Sequence, residues 1–191
     1  MTRSIRLFDR KAPRFKPQPK VLILCEDSKS GKRYLEEAAF HFRAKAQVEI
    51  AHCGVTHPSG IVETAIARQK GFDKVFCALD RDTHLCFERA INLARSHPKI
   101  KVIASYPCFE FWLLLHFGFN RKPFRAVGKH SPGDLVAKSL REKPSMDKYE
   151  KGEDTNYFAQ LLGEPFQRAR DLAPKIIEDV AISGDPNPST E

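Results

Sequence analysis

The sequence predicts an α/β protein with a parallel sheet of about four strands, helices on both faces and a C-terminal helical extension. Three observations carry this. Short runs of β-forming apolar residues stop abruptly at charged residues, as strands buried on both faces do. Apolar residues at helical spacing follow these runs. After Gly118 the strand–helix alternation gives way to basic and helical stretches.

Residues 1–19 carry Arg3, Arg6, Arg10 and Lys11 together with Pro13, Pro17 and Pro19. They offer little apolar surface to bury and are expected to form a basic, flexible arm. Val21-Leu22-Ile23-Leu24-Cys25 reads as the first strand, ending at Glu26-Asp27. Tyr34, Leu35, Ala38, Ala39 and Phe42 mark a helix after it. Residues 47–53 alternate as a second strand, and Ile61, Val62, Ala65 and Ile66 mark a second helix ending near Gly71. Lys74 to Leu79 is a third strand, followed at once by Asp80-Arg81-Asp82. Leu85, Ala90, Ile91, Leu93 and Ala94 give a third helix closed by Pro98, and Ile100 to Ala104 a fourth strand. Phe109 to Phe117 is apolar almost throughout; its length and the preceding Pro107 favour a buried helix. Residues 119–133 read as a basic loop, 134–142 and about 154–180 as helices, 144–152 as a polar break, and Gly184 to Pro188 as irregular. The expected organisation is an arm at 1–19, an α/β core at 20–118, and a loop-and-helix extension at 119–191 packed on the core.

The chain has 191 residues, 41% hydrophobic and 29% charged, with net charge +8. That is enough for one core, and the basic balance favours a polyanionic partner over a merely solubilising surface. Five cysteines in no CxxC spacing, most inside apolar runs, read as reduced core thiols of a cytoplasmic protein. His52, Cys53, His57, His84 and Cys86 match no familiar zinc spacing. No secretory leader is visible, and the run at 109–117, broken by Glu110 and His116, falls far short of the ~20 residues that span a bilayer. No membrane association is expected.

Ligands of open α/β sheets bind beyond the carboxyl ends of the strands. Glu26 sits there on the first strand, Asp80 and Asp82 on the third. Residues two apart in an extended chain face the same way, so Asp80 and Asp82 aim together. Glu26 joins them if the two strands are neighbours. Carboxylates crowded in this way need a counter-cation, and Mg²⁺ (or Mn²⁺) is the natural one. The implied chemistry is phosphodiester cleavage or transfer. The bland alternative is that the aspartates cap the following helix.

Leu24-Cys25-Glu26 with Lys29-Ser30 and Tyr34, then Leu79-Asp80-Arg81-Asp82, then the eleven residues from Pro107 to Phe117, resemble successive signatures of the RloB-like family. Asn187-Pro188-Ser189-Thr190 resembles a late one, so the resemblance spans about residues 20–191. It implies a Toprim-like, Rossmann-like fold and a metal-dependent nuclease. It also implies a place in bacterial defence against phage, including abortive infection, often beside a partner ATPase. Glu26 maps to the acid/base or metal-ligating glutamate, Asp80 and Asp82 to the metal-holding aspartates. The sequence departs from the pattern at Asp27, where glycine is common, and at Gly31, where glutamate often stands. Asp82 is followed by Thr83, His84 and Leu85, without the glycine of DxDxxG. Relatives usually run on from the last signature into a helix, so a shortened form is one expectation.

Glu26, Asp80 and Asp82 are therefore the expected metal ligands, with Glu26 alternatively a general base. Glu110, a carboxylate in an apolar stretch, is a candidate fourth member of the catalytic group, as metal ligand or orienting partner. Lys29 and Arg81 are candidates for holding substrate phosphates, with solvated surface charge as the equal alternative. Arg121, Lys122 and Arg125, interleaved with Phe119 and Phe124, form a candidate nucleic-acid grip or a dock for an acidic partner. RNA, tRNA included, is slightly preferred over DNA. A catalytically silent effector subunit of the ATPase and a metal-dependent phosphotransferase are the competing functions, and self-association is left open.

Overall fold

A computed structural model describes residues 17–42, 46–81, 84–152 and 156–191. Residues 1–16 of the expected arm, Asp82 and Thr83 lie outside the described residues. The element order is β1 (Lys20–Cys25), α1 (Ser30–His41), β2 (Gln47–His52), α2 (Pro58–Arg68), β3 (Lys74–Asp80), α3 (Phe87–Arg95) and β4 (Ile100–Tyr106). There follow α4 (Glu110–Leu115), α5 (Pro132–Arg141), α6 (Tyr157–Gln160), α7 (Glu164–Ser183) and β5 (Ser189–Thr190).

The strands form one sheet in the order β2-β1-β3-β4-β5. The first four are parallel to their neighbours, and β5 closes the edge antiparallel to β4. This is the α/β, Rossmann-like arrangement expected from the sequence. The chain runs from β1 outward to β2, then crosses back to β3 on the other side of β1. The strand order therefore reverses between β1 and β3, and the crevice at their carboxyl ends is where such sheets bind ligands.

Side-chain alternation splits the sheet into two faces. Leu22, Leu24, Val75, Cys77 and Leu79 pack on Ile61, Val62 and Ala65 of α2 and on Phe87, Ala90 and Ala94 of α3. On the opposite face α1 contacts β2 and α4 contacts β4. Between these margins Ile23, Phe76, Ala78 and Ile103 stay half-exposed and line a cavity of about 320 Å³. A second hydrophobic cluster joins Tyr34 of α1 and Phe111 to Leu115 of α4 with the extension: Val136, Leu140, Met146, Tyr149, Ala169 and Ile176. Each such buried large apolar side chain contributes ~1.5–3 kcal/mol, so the extension is an integral part of the molecule.

Two local differences from the sequence expectation have physical causes. Helix α5 starts earlier than expected because Ser131 and Asp134 form a reciprocal capping box with Pro132 in the first turn. The long helix expected over 154–180 is two, α6 and α7, separated at Gly163, whose φ of 89° ends one before Pro165 opens the next. Residues 184–188 are irregular as expected, and Ser189–Thr190 just beyond them form β5. Ser105 Oγ and Thr190 Oγ1 lie 2.8 Å apart, and the Asn187 side chain both donates to Phe124 O (2.7 Å) and accepts from Phe124 N (3.1 Å). The polar break at 144–152 hides two fully buried anchors, Met146 and Tyr149. No helix among the described residues is long and apolar enough to cross a membrane.

Candidate active site

β1 and β3 are neighbours, with Cys25 opposite Ala78. The ladder continues one step past β1, since Glu26 N donates to Ala78 O at 3.1 Å. This sets the Glu26 carboxylate against the end of β3. Its Oε2 accepts from Asp80 N at 3.0 Å, and its Oε1 lies 3.1 Å from His84 Nε2. Asp80 closes β3, and its Oδ1 accepts from Phe109 N at 2.9 Å. That contact ties β3 to the residue preceding Glu110, in the first turn of α4.

Glu110 is only 1% exposed. Its Oε1 accepts from Tyr149 OH at 2.8 Å, while its Oε2 is buried without a hydrogen-bond partner. The nearest cation to Oε2 is Lys151 Nζ at 3.7 Å, on a side chain 53% exposed. The turn carrying Tyr149 and Lys151 is latched to the first residue of α1, where Ser30 Oγ accepts from Gly152 N at 3.1 Å.

The electrostatics follow from this crowding. Burial pushes the Asp80 carboxyl up from 3.8 to about 8, and the charges of Glu110 and Glu26 add to it against the pull of Lys151. Burial and then Glu110 push the Tyr149 hydroxyl far up as well. Burial pulls the Lys151 ammonium down, but Glu110, Cys108 and Asp80 outweigh it and hold the group charged. A carboxylate pair in this state is short of positive charge.

The structure thus brings Glu26, Asp80 and Glu110 into one acidic centre at the strand-order reversal; Asp82 lies outside the described residues. Among the described residues no group of three or more His, Cys, Asp or Glu side chains is gathered closely enough to hold a metal ion by itself. The orphaned, buried Glu110 Oε2 nevertheless fits a hard divalent cation, which takes carboxylate oxygens and keeps several waters. Asp27 takes a structural part. Its two oxygens accept from Lys29 N (2.7 Å) and Gly31 N (3.1 Å) at the start of α1. Gly31 lies against Phe109, where a Cβ would come within 3.4 Å of the ring.

The basic candidates are dispersed. Arg81 turns to the α3 side, with its guanidinium 3.3 Å from Glu88 and over the Phe87 and Tyr106 rings. Arg121 is a clamp for the C-terminal end: Nε donates to Asp179 at 2.5 Å, Nη1 to Pro188 O, and Nη2 to Asp185 O at 2.8 Å. Lys122 and Arg125 are exposed on the same loop. Lys29 packs beside Gly152, whose Cβ would clash with its chain. Sequence reasoning passed over Tyr149, Lys151 and Arg141, which the fold carries to the acidic centre from far along the chain. An aromatic residue inside an otherwise polar break was the one available signal.

Asp80 stands in the wall between two cavities. One is the apolar cavity on the sheet face, which reaches Glu26, Asp27, Phe109 and Trp112. The other, of about 230 Å³, opens between the β4–α4 turn and α5. No curated protein and no solved structure matches the chain. Residues 21–191 match the family described as RloB-like protein, nearly the whole chain, including all the segments that build this centre. The chain belongs to the RloB-like protein family.

Proposed function

We propose that the protein is a Mg²⁺- or Mn²⁺-dependent nuclease that cleaves phosphodiester bonds at the Glu26–Asp80–Glu110 centre. The observation that carries this is Glu110 Oε2, an oxygen of a residue 1% exposed, left without a hydrogen bond near the half-buried carboxylate of Asp80. A structural carboxylate in that position is costly; a metal ligand is not. Glu26, Asp80 and Glu110, with Asp82 by its place in the sequence, are the residues that would hold the cation. When bound, the cation polarises a phosphoryl oxygen and offsets the charge that develops in an in-line displacement.

The chain's own residues do the rest. Phe109 N and Tyr149 OH orient Asp80 and Glu110, so little reorganisation is needed when substrate arrives. His84, 3.1 Å from Glu26, is placed to exchange a proton with it. The neighbouring apolar cavity, with Phe76, Phe109 and Trp112 on its wall, suits a strand whose bases are unstacked. This supports single-stranded RNA over duplex DNA. An effector role in phage defence, in the cytoplasm, follows from what the family resemblance implies.

The test is incubation with mixed tRNA, single-stranded RNA and plasmid in Mg²⁺ or Mn²⁺. Cleavage that disappears in Asp80→Asn supports the reading. Cleavage that persists in Asp80→Asn, or none of any substrate by the wild type with either metal, rules it out.

A further inference from the structure

The 230 Å³ cavity on the far side of Asp80 differs in kind from the apolar one. Its lining includes Asp80, Ser131, Asp134, Arg141 and Lys151. It is smaller than the ~300 Å³ at which small-molecule pockets begin, and it is polar. Its rim is cationic. Lys151 reaches in from the 149–152 turn, and Arg141 comes from the last turn of α5, with Nη1 donating to Tyr149 O at 3.3 Å. The N-terminal end of α5, at Ser131 and Gly133, completes the rim. The acid there, Asp134, is engaged, since its Oδ2 accepts from Ser131 N at 2.8 Å.

The cavity is therefore bipolar, with the half-buried Asp80 carboxylate in one wall and two cations and a helix N-terminus around the rest. Such an arrangement fits neither a free cation nor a free anion alone. It fits a phosphate bridged to the acids by a cation, with its outer oxygens on Arg and Lys donors. Lys151 links the cavity to the third acid, since its Nζ is 3.7 Å from Glu110 Oε2, which has no hydrogen bond. The basic residues expected from the sequence do not compete for this role, because Arg81 and Arg121 are occupied elsewhere.

We propose that this cavity is the phosphate subsite of the acidic centre, with Lys151 and Arg141 as the residues that hold the substrate's phosphate. This rests on the phosphodiesterase reading and extends it to residues outside the carboxylate group.

The experiment has two arms. In the first, inorganic phosphate is titrated into the ¹⁵N-labelled full-length protein with Mg²⁺ present. Saturable shifts are expected at the amides of Ser131, Gly133, Arg141 and Lys151. Lys151→Gln and Arg141→Gln should each weaken binding roughly tenfold, the value of one charge-assisted contact. Lys151 is half-exposed, so its replacement leaves the fold intact; Arg141→Lys, which keeps the charge, should recover most of the Arg141 loss. Shifts confined to other surfaces, or no saturable shift, overturn the proposal. In the second arm, binding of a single-stranded RNA oligomer is followed against salt. Each Gln variant should lower the salt slope by about 0.7, one phosphate contact. Phosphate bound in the cavity without any RNA binding would sink the nuclease reading and leave the subsite standing. Wild-type RNA affinity and salt slope in both Gln variants would sink the subsite and leave the nuclease.

Discussion

Replacing Glu110 by Gln separates a metal-holding carboxylate from a structural one. In the metal-free protein three effects oppose one another. The Tyr149 hydrogen bond to Oε1 (2.8 Å) passes from a charged to a neutral acceptor, which costs about 1 kcal/mol. Removing an unsatisfied buried oxygen returns about 1–3 kcal/mol. Losing the ion pair with a half-exposed lysine at 3.7 Å costs about 0–1 kcal/mol, because solvent screens that side. The net change lies between a loss of about 1 kcal/mol and a gain of about 2 kcal/mol. Breaking a structural buried pair would instead cost about 3–5 kcal/mol.

With metal present the comparison reverses. Ligand at a hundred times its dissociation constant stabilises the folded state by about 2.7 kcal/mol. Glu110→Gln has lost an anionic ligand and should retain about 1 kcal/mol of that at the same concentration. The assay is urea denaturation of both proteins in EDTA and in excess Mg²⁺ or Mn²⁺. A variant that loses several kcal/mol in EDTA yet keeps the full metal increment would refute the reasoning. Glu110 would then be an architectural residue.

The Asp80 shift makes a pH prediction for the metal-free protein. Its carboxyl is at about 8 when folded against 3.8 ordinarily, so between those values the folded state holds a proton that the unfolded state has lost. Stability is therefore highest at the acid end of that window and falls as pH rises toward 8, by up to ~1.4 kcal/mol per pH unit; Asp80→Asn flattens this slope in denaturation curves, and a rise over the same window would contradict the burial argument. Lys151→Met should raise Mg²⁺ affinity several-fold, on the order of 1 kcal/mol, by removing an ammonium that competes for Glu110; calorimetry showing equal or weaker affinity would exclude that competition. Arg121→Ala should destabilise by about 2–4 kcal/mol through loss of a half-buried network, whereas Lys122→Ala and Arg125→Ala stay within ~0.5 kcal/mol in thermal or chemical unfolding.

The acidic centre was legible where strand ends meet the pattern of the chain. Val21 to Cys25 and Val75 to Leu79 are uniformly apolar, as suits central parallel strands with helices on both faces, so the first acid beyond each lies at the carboxyl end of its strand. Glu110 was legible for a related reason, as a charge embedded in residues that otherwise pack into a core. The positions of Arg81 and Arg121 were not legible. A basic side chain carries no periodic signal, and its partner is chosen by tertiary contact: Phe87 and Tyr106 for Arg81, Asp179 and the Pro188 carbonyl for Arg121. Tyr149 and Lys151 were hidden for the same reason. Their relation to Glu110 spans 39 residues or more and depends on a turn latched to Ser30.

That latch explains why the extension belongs to the site. The sheet supplies Glu26 and Asp80, which β1 and β3 hold in register whatever happens downstream. Glu110, Tyr149, Lys151 and Arg141 come from the second hydrophobic cluster or its margin, which exists only when α4, α5 and α7 pack together. The centre is therefore assembled at the seam between two cores. Carboxylates fixed by the sheet alone would be a crowded acidic pair with nothing to orient an anion. The extension adds the buried third acid and the cationic rim in one step, because Tyr149, anchored at 0% exposure, carries Lys151 two residues along. Loosening of the extension should thus release the phosphate side of the centre before the strand-borne acids lose their geometry, since the two sides draw their rigidity from different cores.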